Sequence, residues 1–159
     1  MKIVINMCYG GFGLSPRGLS RLAELQGRKC YFYEGGLLSK PHKLISLEQA
    51  EKSSSFFVSA YDVPNIDEVC PSQEDFHKLS IEGRRASNEV WRAHTINQMR
   101  SYEDRSNPLL VQVVEELGSE VASSRMAELA VVEIPDGVEY EIDDYDGIET
   151  IHEKHRTWG

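Results

Sequence analysis

The sequence predicts a single mixed domain, α/β or α+β, over residues 1–159. Three observations carry that expectation. A β-branched run, Lys2–Asn6, leads into a glycine loop and a strong helix start. A well-capped amphipathic helix occupies Pro108–Gly118. The last third alternates apolar and polar residues between turn signals, as an antiparallel β-meander or hairpin does. No repeat, low-complexity tract or linker divides the chain, and 159 residues is an ordinary size for one domain.

The elements follow in order. KIVIN, residues 2–6, reads as a buried strand because it is rich in β-branched residues. Ser15 followed by Pro16 signals an N-cap and a first helical residue. Leu19, Leu22, Ala23 and Leu25 give that helix one apolar face, and Gly27 stops it. Lys29–Tyr33 reads as a second strand. The opening is therefore a β-α-β unit, near the length a right-handed crossover needs. Gly35, Gly36 and Pro41 mark loops, Ser46–Lys52 a short helix, and Ser55–Asp62 a third strand. Residues 72–94 are helical in character, with Gly83 as a candidate break, and His94–Tyr102 reads as a polar strand.

In the helix 108–118, Leu110, Val113, Val114, Leu117 and Val121 recur at helical spacing, behind a Ser106 or Asn107 cap. Leu129–Ile134 and Val138–Asp144 read as strands, and Asp146-Gly147 fits a type I′ hairpin turn. The segment after that turn has both a strand and a helix reading, since Ile148, Ile151 and His155 share a helical face.

Charge narrows the function. A formal net charge of −9 and a pI near 5.0 argue against direct binding to a nucleic-acid backbone, which needs clustered Lys and Arg. The same charge suits an acidic protein that docks on a basic partner. Cys8, Cys30 and Cys70 are odd in number and widely spaced, which points to reduced thiols and a cytoplasmic setting. The N-terminal apolar run is too short for a signal sequence, and no stretch approaches a membrane span, so no membrane partner is expected.

The chemistry-bearing candidates cluster in NMCYGGFGLSPRG, residues 6–18. A glycine loop between a strand and a helix lets backbone N–H groups approach a phosphate or carboxylate. The dinucleotide fingerprint fails because Pro16 stands where its last glycine would be, and the P-loop fails for want of a Lys-Ser/Thr pair. What remains is a generic anion seat from the amides of Gly10, Gly11 and Gly13, with Tyr9 or Phe12 to stack on a base. Arg100 and Arg105 flank Tyr102, a combination suited to a phosphate and a stacked ring. The plain alternatives are a tight turn and surface arginines paired with nearby glutamates.

Cys8 beside a helix start is a candidate ligand contact, or a nucleophile if His42, His77, His94, His152 or His155 serves as its base. His152 and His155, among Asp143, Asp144, Asp146, Glu149 and Glu153, would ligate a metal only on a helix. The terminal Trp158 reads as an aromatic docked in the core.

Ile5-Asn6-x-Cys8-Tyr9-Gly10-Gly11-Phe12-x-Leu14-Ser15 is one distinctive pattern. Val113-Val114-Glu115-Glu116-Leu117-Gly118, Asp146-Gly147-x-Glu149 and His155-Arg156-Thr157-Trp158 are others. Together these resemble a group of small phage and prophage proteins of unassigned function, over the first quarter and last third of the chain. Residues 34–98 match nothing in that pattern. A weaker resemblance is to the Thoeris anti-defence sponge proteins, small oligomers that sequester cyclic ADP-ribose-like signals. It implies a homo-oligomer in the host cytoplasm that captures a nucleotide-derived small molecule without catalysis or cofactor. The alternatives are an acidic inhibitor that docks on a host enzyme, as a nucleic-acid mimic would, and a Cys8- or metal-dependent hydrolase.

Overall fold

The computed structural model describes residues 1–35, 41–54, 58–97 and 99–154. The chain is mixed α+β. It runs β1 (Lys2–Asn6), α1 (Pro16–Leu25), β2 (Tyr31–Glu34), β3 (Lys43–Ile45), α2 (Leu47–Lys52), β4 (Val58–Tyr61), α3 (Ile66–Val69), α4 (Gln73–Lys78) and α5 (Ile81–His94). A 3₁₀ turn at Tyr102–Asp104 leads to α6 (Pro108–Leu117), α7 (Ser119–Ala122), β5 (Leu129–Glu133), β6 (Tyr140–Tyr145) and β7 (Ile148–Glu153). Its contacts group into two compact units, Met1–Gly18 with Gln98–Gly159, and Leu19–Asn97.

In the first unit, β1 pairs antiparallel with β5, Lys2 opposite Glu133 and Asn6 opposite Leu129. Ile3, Val4 and Ile5 are buried, as are Leu110, Val111, Val113 and Val114 of α6, which packs on both strands. Asn107 caps α6 by accepting from the Leu109 amide, Pro108 follows it, and Gly118 at φ 75° ends the helix. Ser15 caps α1 by accepting from the Gly18 amide at 3.0 Å, and its hydroxyl donates to the Val121 carbonyl at 2.5 Å. Strands β6 and β7 form a hairpin from Tyr140 opposite Glu153 to Tyr145 opposite Ile148. Its two-residue turn has Asp146 at φ 52° and Gly147 at φ 93°, the positive pair that a type I′ turn requires.

In the second unit, β2 is the centre of a three-stranded antiparallel sheet ordered β3-β2-β4. Tyr33, Tyr61 and Ile66 form one buried cluster there, with Val63, Val69 and Trp91 packed against them. The buried hydroxyls are paired: Tyr33 donates to the Val63 carbonyl, and Trp91 Nε1 donates to the Tyr61 hydroxyl. Three helices of this unit start at serines. Ser46 makes a capping box with Gln49, Ser72 caps α4, and Ser80 accepts from the Gly83 amide to open α5.

Asp62 ties β4 to its surroundings. Arg28 donates to its Oδ2 through Nε at 3.0 Å and Nη2 at 2.8 Å, and His94 Nδ1 lies 2.8 Å from Oδ1. Burial works to raise the Asp62 pKa, but the hydrogen bonds from Arg28 and His94 outweigh it and hold the carboxyl below its ordinary value of 3.8. A folded pKa below the unfolded one stabilises the protein above the unfolded value, and that stability is lost as pH falls through the folded value. Urea midpoints of wild type and Asp62→Asn should therefore differ near neutrality and converge as the pH drops below 3.8. A gap that persists undiminished in acid would contradict this.

Several expectations need correction. Strands β1 and β2 lie in different sheets, so the β-α-β order is present without a parallel crossover. Of the two readings of the last third, meander or hairpin, the hairpin holds: β6 pairs with β7, while β5 pairs with β1. Among the described residues of the segment 94–102 there is no strand: Thr95 makes an isolated bridge to Tyr61 before the 3₁₀ turn. The helical stretch 72–94 breaks at Leu79-Ser80 and not at Gly83, because a Ser N-cap restarts it. The start of the third strand at 55–57 and the segment with His155 and Trp158 lie outside the described residues.

Candidate functional site

The site grows from the end of β1. Asn6 is fully buried, and both ends of its amide are used. Its Oδ1 accepts from the Glu128 amide at 2.7 Å, while Nδ2 donates to the carbonyls of Cys8 at 2.9 Å and Gly147 at 2.6 Å. Its backbone N–H donates to Glu149 Oε2 at 2.8 Å. One side chain thus fixes the glycine loop against the hairpin turn. The Cys8 thiol contacts Asn6 Oδ1 at 3.6 Å and the Met126 carbonyl at 3.8 Å.

The glycines permit close backbone approach. Gly10 at φ 141° donates to the Asp146 carbonyl at 3.2 Å, and Gly11 donates to the Met126 carbonyl at 3.0 Å. The Gly13 carbonyl accepts from the Ser124 amide at 2.8 Å. A Cβ on Gly10 would stand 2.2 Å from the Met126 oxygen, so that position admits only glycine.

Beneath the loop sits an ion pair. Arg105 grips Glu149 with two parallel bonds, Nη2 to Oε1 at 2.6 Å and Nη1 to Oε2 at 3.1 Å, and both side chains are 2% exposed. The guanidinium carbon lies 3.3 Å from the centre of the buried Phe12 ring and 5.5 Å from that of Tyr102. Burial lowers the Arg105 pKa, and the Glu149 charge opposes that fall. Burial also raises the Tyr102 phenol, helped by the negative charges of Asp144 and Glu149.

The loop and the arginine segment, separate in sequence, do meet. Arg105 touches Phe12 and Tyr102, and Arg100 Nη2 lies 3.9 Å from the position of a Cβ on Gly11. Their chemistry differs from an open anion seat, however. The Gly10 and Gly11 amides already donate within the protein, and the Arg105 charge is matched by Glu149. Tyr9, Gly10, Arg100 and Tyr102 are the exposed members, and Cys8 and Gly11 are partly exposed.

The sequence reading passed over Asn6 as an organiser, and it took Glu149 as a metal neighbour and as part of the acidic hairpin and the Asp146-Gly147-x-Glu149 pattern, not as a partner of Arg105. A polar residue closing a buried strand, and an acid two residues after Asp-Gly, were the available signals.

Three of the described histidines lie beside acids. His42 Nδ1 is 2.6 Å from Asp67 Oδ1, His94 pairs with Asp62, and His152, on strand β7, lies 3.4 Å from Asp143. Among the described residues no three His, Cys, Asp or Glu side chains converge as a metal site would require. In the second unit an open cleft of about 410 Å³ is lined by Ser20, Cys30, Phe32, Leu44 and Leu47. Burial pushes the Cys30 thiol up to about 11, which leaves it protonated and unreactive at neutral pH.

The surface around the loop is unusual. Met7, Tyr9, Met126 and Tyr145 are all exposed, Tyr145 at 77%. The Met126 and Asp146 carbonyls, the latter next to Tyr145, accept from the Gly11 and Gly10 amides, so the backbone segments that carry these residues adjoin the loop. Glu139, Glu141, Asp143, Asp144, Asp146 and Glu153 are exposed on and around the adjoining hairpin. Among the described residues no helix is long and apolar enough to cross a membrane. Comparison with family models, curated proteins and solved structures finds no match to this chain.

Proposed function

We propose that the chain acts by non-covalent docking, through the tyrosine- and methionine-bearing face around residues 7–10 and the acidic hairpin beside it, onto a basic protein surface. The observation that carries this reading is the exposure of Met7, Tyr9, Met126 and Tyr145 on segments that adjoin a loop whose Gly10 and Gly11 amides are bonded within the protein. Tyr and Met are favoured at the centre of protein interfaces, and a rim of charge selects the partner. In the counter-defence setting that the phage resemblance implies, such a protein inhibits a host enzyme.

A second reading, capture of a nucleotide-derived signal, is favoured by one arrangement. Arg100 stands beside Gly11, and half-exposed Tyr102 lies over the Arg105 guanidinium. These would bind a phosphate and stack on a base.

Capture from a host lysate distinguishes the two. Docking predicts a basic protein retained at about 50 mM salt and lost at about 500 mM, since screening shortens the reach of surface charge. Glu141→Lys with Asp143→Lys, or Tyr145→Ala, should abolish capture. Retention indifferent to both salt and these variants would refute docking. A nucleotide released from the purified protein by heat, and lost in Arg100→Ala, would establish the second reading instead.

A further inference from the structure

Helix α5 is 14 residues long, and none of them is buried. A helix of that length is marginal on its own, and tertiary packing of an apolar face normally sustains it. One side of α5 is partly covered: Trp91 packs on the Tyr61 cluster, and Arg84 donates to the His77 carbonyl and lies over the Phe76 ring. The opposite side carries a seven-residue repeat of three kinds, Glu82 and Glu89, Arg85 and Arg92, Ala86 and Ala93, all exposed. Among the described residues none of these four charges has a hydrogen bond or ion pair within the chain.

The geometry points to a second copy of this chain as the occupant of that face, with α5 packed antiparallel on α5 about a two-fold axis at the level of Ser87. In that register Glu82 faces Arg92 of the second copy and Arg85 faces its Glu89, so symmetry yields four opposite-charge contacts. Parallel packing would instead set Glu against Glu and Arg against Arg. The two alanines let the helix axes approach to about 8–10 Å. Ile81, 69% exposed at one margin, would be covered by Ala93 of the second copy. A helix pair about 21 Å long buries less than a standard interface, so the dimer is weak and sensitive to salt. This inference rests on α5 alone and is independent of the hairpin reading.

Light scattering over a concentration series tests it. The mass should rise above 18.0 kDa toward twice that value at low salt and return at high salt. Glu82→Arg with Glu89→Arg makes the face wholly basic, and Arg85→Glu with Arg92→Glu makes it wholly acidic. Each variant alone should remain monomeric, and an equimolar mixture should recover the doubled mass. A wild-type mass fixed at 18.0 kDa in every condition overturns the proposal without recourse to any variant. So does a mixture that stays monomeric while circular dichroism shows both variants folded, or loss of the dimer in the hairpin variant Glu141→Lys/Asp143→Lys.

Discussion

Glu149→Ala is expected to destabilise the protein by about 3–5 kcal/mol, the cost of leaving a buried charge without its partner. For a chain of this size that is a fall in Tm of roughly 6–20 °C. The Arg105 guanidinium has little else to lean on. Its Nε is buried without a hydrogen-bond partner, so charge neutralisation rests on the two bonds to Glu149. The Phe12 face at 3.3 Å attracts the cation but does not neutralise it. The same carboxylate also accepts from the Asn6 backbone, in a sheet that has only β1 and β5 among the described residues. Removing it therefore orphans a cation and a buried N–H together. The double variant Arg105→Met/Glu149→Leu should cost less than Glu149→Ala, because it leaves no buried charge. Urea denaturation of the three proteins decides the matter. A Glu149→Ala midpoint close to wild type would mean that water reaches Arg105 and that the pair is peripheral.

That pair also shows where the sequence stops being readable. Signals confined to a few residues were legible: Ser15-Pro16 and Asn107-Pro108 cap helices, and Asp146-Gly147 turns a hairpin. Each works through hydrogen bonds or dihedral preferences that neighbours set by themselves. Partner choice across long separations was not legible. Alternation and β-branching mark Lys2–Asn6 and Leu129–Glu133 as strands, but nothing local says that they pair with each other. Arg105 and Glu149 are 44 residues apart, and a bidentate pair leaves no trace in spacing. The glycine loop misled for a related reason. Glycine is needed wherever backbone comes close, whether the approaching atom belongs to a phosphate or, as at Gly10, to the Met126 carbonyl of the same chain. Arg100 or Arg105 was grouped with that loop as a ligand contact; the structure puts Arg105 on Phe12 and in the grip of Glu149, an acid the sequence did not assign to it.

Gly147→Ala should be the most damaging single-methyl substitution in the hairpin, at about 3 kcal/mol or more. Its added Cβ would lie 1.9 Å from the oxygen, 2.5 Å from the carbonyl carbon and 2.6 Å from the nitrogen of Gly10. These are backbone atoms, and they are held in place. Gly10 donates to the Asp146 carbonyl, and Asn6 Nδ2 donates to the Gly147 carbonyl at 2.6 Å. Relief would require the turn to lift off the loop, breaking both bonds and drawing Glu149 away from Asn6. Gly137→Ala is the matched control, since its φ of 81° is equally unfavourable for alanine but a Cβ there meets nothing within 4 Å. That variant should cost only the left-handed strain of about 1–2 kcal/mol. If the steric account is right, combining Gly147→Ala with Glu149→Ala will cost less than the sum, because the first change already disengages the second residue. Equal losses for the two glycine variants, or strict additivity in the double variant, would show that the turn and the loop are not locked together.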